Sequence, residues 1–142
     1  MNLNELRDKA YRNAVTHGFH DEELSNEHCL CLVISELMEA VKADRKGRFA
    51  KVPVDKKGTI FDERTFHYQN KYFAENFETY IKDCVEDELA DACIRLLDLA
   101  GLRNISIDDF SGEMIYEATE SCNNETFTES IYAISTIPIR CE

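Results

Sequence analysis

Val85-Glu86-Asp87-Glu88-Leu89-Ala90-Asp91-Ala92-Cys93-Ile94-Arg95-Leu96-Leu97-Asp98-Leu99-Ala100-Gly101 is the stretch whose spacing decides the fold class. Val85, Leu89, Ala92, Cys93, Leu96, Leu97 and Ala100 recur at steps of three and four. That period lays a broad apolar face along one side of a helix over about 82–101. Gly101 reads as its stop.

Working outward, the same period recurs on either side. Leu30, Val33, Ile34, Leu37, Ala40 and Val41 mark a second helix that begins between Asp21 and Ser25, runs to about Arg45 and is ended by Gly47. Upstream, Leu3, Leu6, Ala10, Ala14 and Val15 predict a helix over 2–17, with Asn2-x-x-Glu5 as a capping box and Gly18 as its stop. Tyr72, Phe73, Phe77 and Tyr80 predict a short amphipathic helix over about 68–80 and read as core or dimer contacts. Ser106-x-x-Asp109 caps a further expected helix that ends near Asn124, and a last one spans about 125–136 before Pro138. Strong period-two alternation and internal repeats are absent. The expected fold is therefore a single all-α domain over 1–142, an antiparallel helical bundle, interrupted by a long loop or insertion at about 47–80.

A chain of 142 residues, 44% hydrophobic, can bury a core without staples. No apolar run approaches the roughly 20 residues that span a bilayer, and the N-terminus lacks the regions of a signal peptide. A cytoplasmic protein with no membrane partner is expected. The six cysteines form no C-x-x-C pair, and Cys29 and Cys93, set among aliphatics, read as buried reduced thiols. Twenty-eight acids against 16 bases give a net charge of −12, which argues against binding a nucleic acid duplex. The same charge repels small phosphorylated molecules unless a divalent cation bridges them.

Glu36 and Glu39 are three residues apart on the second helix, as are Glu88 and Asp91 on the strongest one. Side chains at i and i+3 leave a helix on the same side. Each pair lies within an apolar stretch, so packing the apolar faces brings the pairs together at the edge of the seam. Two unit charges 4 Å apart repel by roughly 4 kcal/mol at an effective dielectric of about 20. Several such pairs would strain a fold worth only about 5–15 kcal/mol in all, so protons or cations must neutralise them. Oxygen ligands without His or Cys suit Mg2+, or Mn2+.

Ser35-Glu36-Leu37-Met38-Glu39-Ala40 followed by Glu86-Asp87-Glu88-Leu89-Ala90-Asp91-Ala92 resembles the MazG-like all-alpha nucleoside triphosphate pyrophosphohydrolases, whose signature is ExxE on one helix and ExxD on the next. Ile94–Gly101 resembles the text that follows the second motif, and the likeness covers roughly 25–105. It implies Mg2+-dependent hydrolysis of a nucleoside triphosphate, a deoxynucleotide or a modified one, to the monophosphate and pyrophosphate. Glu36, Glu39, Glu88 and Asp91 would hold the metal, and Glu36 or Glu39 would orient or deprotonate the attacking water. The connection between the motifs is longer than is usual in that family. The C-terminal third carries no basic cluster assignable to phosphate.

Further candidates for substrate contact are His20, Lys42, Arg95, Lys56 and Lys57. Each has a plainer reading. Arg95 could pair with Asp91, four residues before it, and Lys42 with Glu39. His20 could be a surface loop residue, and Lys56 and Lys57 part of a solvated loop. The sequence argues against a di-iron carboxylate bundle, because no Glu is followed by His three residues later. The remaining alternative is a noncatalytic helical binding protein with solvated acidic pairs. Under either reading a helix pair with two apolar faces is expected to complete its core as a homodimer or homotetramer.

Overall fold

The computed structural model describes residues 2–55, 58–59, 71–107, 116, 120 and 126–136. Five helices occupy them: α1 (Leu3–Thr16), α2 (Asn26–Arg45), α3 (Lys71–Tyr80), α4 (Val85–Leu102) and α5 (Phe127–Ser135). A hairpin of two-residue strands, β1 (Val54–Asp55) and β2 (Gly58–Thr59), interrupts the long connection. It is too short to leave an alternating pattern in the sequence. Most of the expected helix after Ser106 lies outside the described residues, in which Tyr116 and Glu120 are helical.

The helix ends follow local chemistry. The Asn2 side chain accepts from the Glu5 amide, and the Ser25 hydroxyl from the His28 amide, satisfying donors that each first turn leaves over. Thr126 and Glu129 complete a reciprocal capping box on α5. Gly18 and Gly47, with φ of +78° and +64°, take the left-handed conformation that stops α1 and α2. Gly101 corrects the sequence reading. It lies inside α4, which continues to Leu102, and the left-handed residue beyond that end is Asn104.

The reason for Gly101 is the approach of α1. A Cβ at Gly101 would stand 2.5 Å from Tyr11 Cβ and 3.4 Å from the Arg7 carbonyl oxygen. Gly101→Ala is therefore expected to destabilise the fold by about 1–3 kcal/mol through overpacking, against the roughly 1 kcal/mol that alanine's helix propensity returns. A melting temperature equal to or above wild type would show that α1 can move aside.

α2 makes its most extensive contacts with α4, which also packs on α1, while α5 covers part of α2. Val33, Leu37, Ala92 and Ile131 form the buried centre, with Val41, Leu89 and Phe127 packed against it. Ala40 is fully buried. The cross-helix bonds run in opposite order along the two long helices. Arg103 reaches Asn26, Arg95 reaches Glu36, and the Val85 amide reaches the Arg48 carbonyl. This register sets the 36–39 segment against the 88–95 segment. Cys29 is buried as expected, but Cys93 is exposed. It follows Ala92, the residue of that turn that faces the core, and one helical step carries it past the seam. Among the described residues no helix is long and apolar enough to cross a membrane.

Candidate metal centre

Three of the four expected carboxylates converge. Glu36 of α2 and Glu88 and Asp91 of α4 each offer an oxygen, and these atoms lie within 4.8 Å of one another. Glu36 and Glu88 are half-buried and Asp91 is exposed. Burial, then the charges of Asp87, Asp91, Glu36 and Glu39, push the Glu88 carboxyl above the ordinary carboxylate range. Burial, then Asp87 and Glu36, do the same to Asp91, while Arg95 opposes. More than a third of Asp91 faces water, which screens its share.

Neighbouring acids show what a purely structural carboxylate does here. Glu86 accepts from the Ala50 amide at 2.9 Å, and that bond holds its carboxyl below the usual range. Asp87 accepts from the Asp83 amide at 2.9 Å. Both tie the chain to the start of α4, where the helix dipole also favours negative charge. Glu88 and Asp91 have no salt bridge among the described residues. Their charge is costly, and the polypeptide around them supplies little to offset it.

Arg95 does not pair with Asp91. Its Nε donates to Glu36 Oε1 at 3.2 Å across the helix interface, and its guanidinium lies 5.5 Å from the centre of the Phe19 ring. Glu39 stands outside the converging group. It accepts from Lys42 Nζ at 2.6 Å, an exposed i,i+3 pair. Glu39 and Glu88 line the same cavity, of 170 Å³, with Lys42, Lys46, Arg48 and Asp83. His20 is turned inward and is not a surface loop residue. Its Nε2 meets Asp98 Oδ1 at 2.7 Å, and Nδ1 is buried without a hydrogen-bond partner among the described residues. Lys56 and Lys57 lie outside the described residues.

Two participants, Phe19 and Asp98, were missed by sequence reasoning. Asp98 had a signal, since an acid within Leu96-Leu97-Asp98-Leu99 needs a partner if that face is buried. Phe19 had none, as a loop aromatic next to a helix stop is unremarkable.

Three oxygen donors from two packed helices suit a hard divalent cation. With Glu36, Glu88 and Asp91 ionised and Arg95 adjacent, the formal charge of the group is −2, which one Mg2+ cancels. No family model matches the chain, and no curated protein and no solved structure matches it.

Proposed function

We propose that the chain is a Mg2+-dependent nucleoside triphosphate pyrophosphohydrolase of the MazG-like all-alpha type, yielding a monophosphate and pyrophosphate. The observation that carries this reading is the convergence of Glu36, Glu88 and Asp91 from α2 and α4, with Glu88 and Asp91 raised in pKa and without a salt bridge among the described residues. These three residues would hold Mg2+, or Mn2+. The cation supplies charge neutralisation for phosphate oxygens in a chain that otherwise repels them.

The residues around it divide the remaining work. Arg95 holds the Glu36 carboxylate toward the group, and Phe19 holds Arg95. Glu39, outside the converging three and beside the cavity, is the carboxylate assigned to accept a proton from the attacking water, with Lys42 fixing its orientation. The reading goes with a cytoplasmic antiparallel bundle acting on free nucleotides as a homodimer or homotetramer. Ile94 and Leu96, large apolar residues exposed on α4, support the self-association.

The test is a panel of canonical and modified nucleoside triphosphates with Mg2+ or EDTA, following pyrophosphate. Release from at least one member that stops in EDTA is expected. No release, together with no saturable Mg2+ or Mn2+ binding, would leave the noncatalytic reading.

A further inference from the structure

Two cavities meet at Arg48. The first, of 170 Å³, borders the carboxylate group through Glu88 and is lined largely by charge. It is smaller than the ~300–1,000 Å³ typical of small-molecule sites and suits a phosphate chain. The second measures 420 Å³ and lies between the segment after α2 and the end of α3. Its walls include Phe49, Thr79 and Tyr80, with Lys51 and Lys82 among the charged residues. Arg48 lines both.

The wall that carries Phe49 is fixed in the fold. The Arg48 amide donates to the Ala43 carbonyl at 3.0 Å, and the Arg48 carbonyl accepts from the Val85 amide at 3.0 Å. The Ala50 amide donates to Glu86 at 2.9 Å, and the Lys51 amide to the Tyr80 carbonyl at 3.2 Å. A segment tied at both edges loses little further freedom when it binds a ligand. Yet Phe49 on this strap is 47% exposed. An apolar ring half in water on a fixed backbone contributes little to the core, and it is a face on which a base can stack.

Charge points the same way. Lys42, Arg45, Lys46, Arg48 and Lys51 fall within ten residues of a chain whose net charge is −12. Arg48 meets Asp83 at 3.7 Å with both side chains half exposed, a weak pair that a phosphate can displace.

We propose that the 420 Å³ cleft receives the nucleoside moiety of the substrate, with Phe49 stacking on the base and Arg48 contacting the phosphate chain that leads to the carboxylates. This rests on the hydrolase reading and adds the residues that select among nucleotides. Phe49 is the specificity-determining contact, and Arg48 is common to all substrates.

The chain contains no tryptophan, so Phe49→Trp introduces a single indole into the cleft. Its fluorescence is expected to change saturably with AMP, GMP, dCMP, dUMP or dTMP and not with ribose 5-phosphate. On the best substrate of the panel, Phe49→Ala should raise KM roughly tenfold or more, with kcat and inhibition by inorganic pyrophosphate little changed. Phe49→Tyr should restore KM, whereas Arg48→Ala should weaken substrate and pyrophosphate together. Hydrolysis with KM unmoved by Phe49→Ala would overturn the cleft assignment and leave the hydrolase standing. A saturable, base-dependent indole response in a chain that hydrolyses nothing would uphold the cleft and overturn the hydrolase.

Discussion

Glu88→Gln or Asp91→Asn is expected to abolish pyrophosphate release, lowering kcat by about a thousandfold or more. Charge stabilisation by a bound divalent cation is worth several kcal/mol in a phosphoryl transition state, and about 1.4 kcal/mol is a factor of ten in rate. Either substitution removes one of the three negative charges whose oxygens come within 4.8 Å of one another. The gain in melting temperature that Mg2+ gives the wild type should shrink in both variants. In EDTA the Glu88→Gln protein should melt at or above the wild type, because its burial and the charges of Asp87, Asp91, Glu36 and Glu39 make an ionised Glu88 unfavourable. Helix content should not change. Full activity in either variant would remove that residue from the centre.

The second large effect concerns the platform. Leu37 lies between the two carboxylates of α2, and its side chain enters the core with Val33, Ala92 and Ile131. Leu37→Ala should cost about 2–4 kcal/mol, from lost burial plus the cavity left behind. That is a large share of the roughly 5–15 kcal/mol available to a domain. The control is its neighbour Met38, which is 45% exposed, so Met38→Ala should change stability by only about 0.5 kcal/mol. Urea titrations of the two variants check this. Equal midpoints would mean that α2 is rotated relative to the seam described here. Mg2+ affinity should fall in Leu37→Ala, since Glu36 is positioned by the same turn.

Helix periods made α2 and α4 legible, because each has many apolar residues, and Ser25 and Gly47 mark the ends of α2. The carboxylate pairs were legible for the same reason, since i,i+3 spacing needs no tertiary knowledge. Partners across the interface were not. The i,i+4 rule gives Arg95 to Asp91, whereas the packed register gives it to Glu36. That register depends on how closely α1, α2 and α4 approach, and one-dimensional spacing does not encode it. Gly101 misled in the same way. Its function is steric contact with Tyr11, and nothing in the sequence near it mentions α1. Glu39 stands apart from the other three and pairs with Lys42, one turn on. The cleft beside Phe49 was hidden because it is built from two segments far apart in the chain, 47–51 and 78–84, joined by the Ala50–Glu86 and Lys51–Tyr80 bonds.

Those bonds bear on cooperativity. Surface connections usually open at little cost, independently of the domain they join. The 48–51 strap is tied to the last turn of α2, the end of α3 and the first turn of α4. The Ala50 amide is bonded to the first turn of α4, and α4 supplies Ala92 and Leu89 to the core. Arg48 and Ala50 are thus tied to the helix pair that carries Leu37 and Ala92, whereas Lys51 is tied to the end of α3. Hydrogen exchange at Arg48 and Ala50 is expected to report on the main helix pair, although the stretch itself has no regular structure.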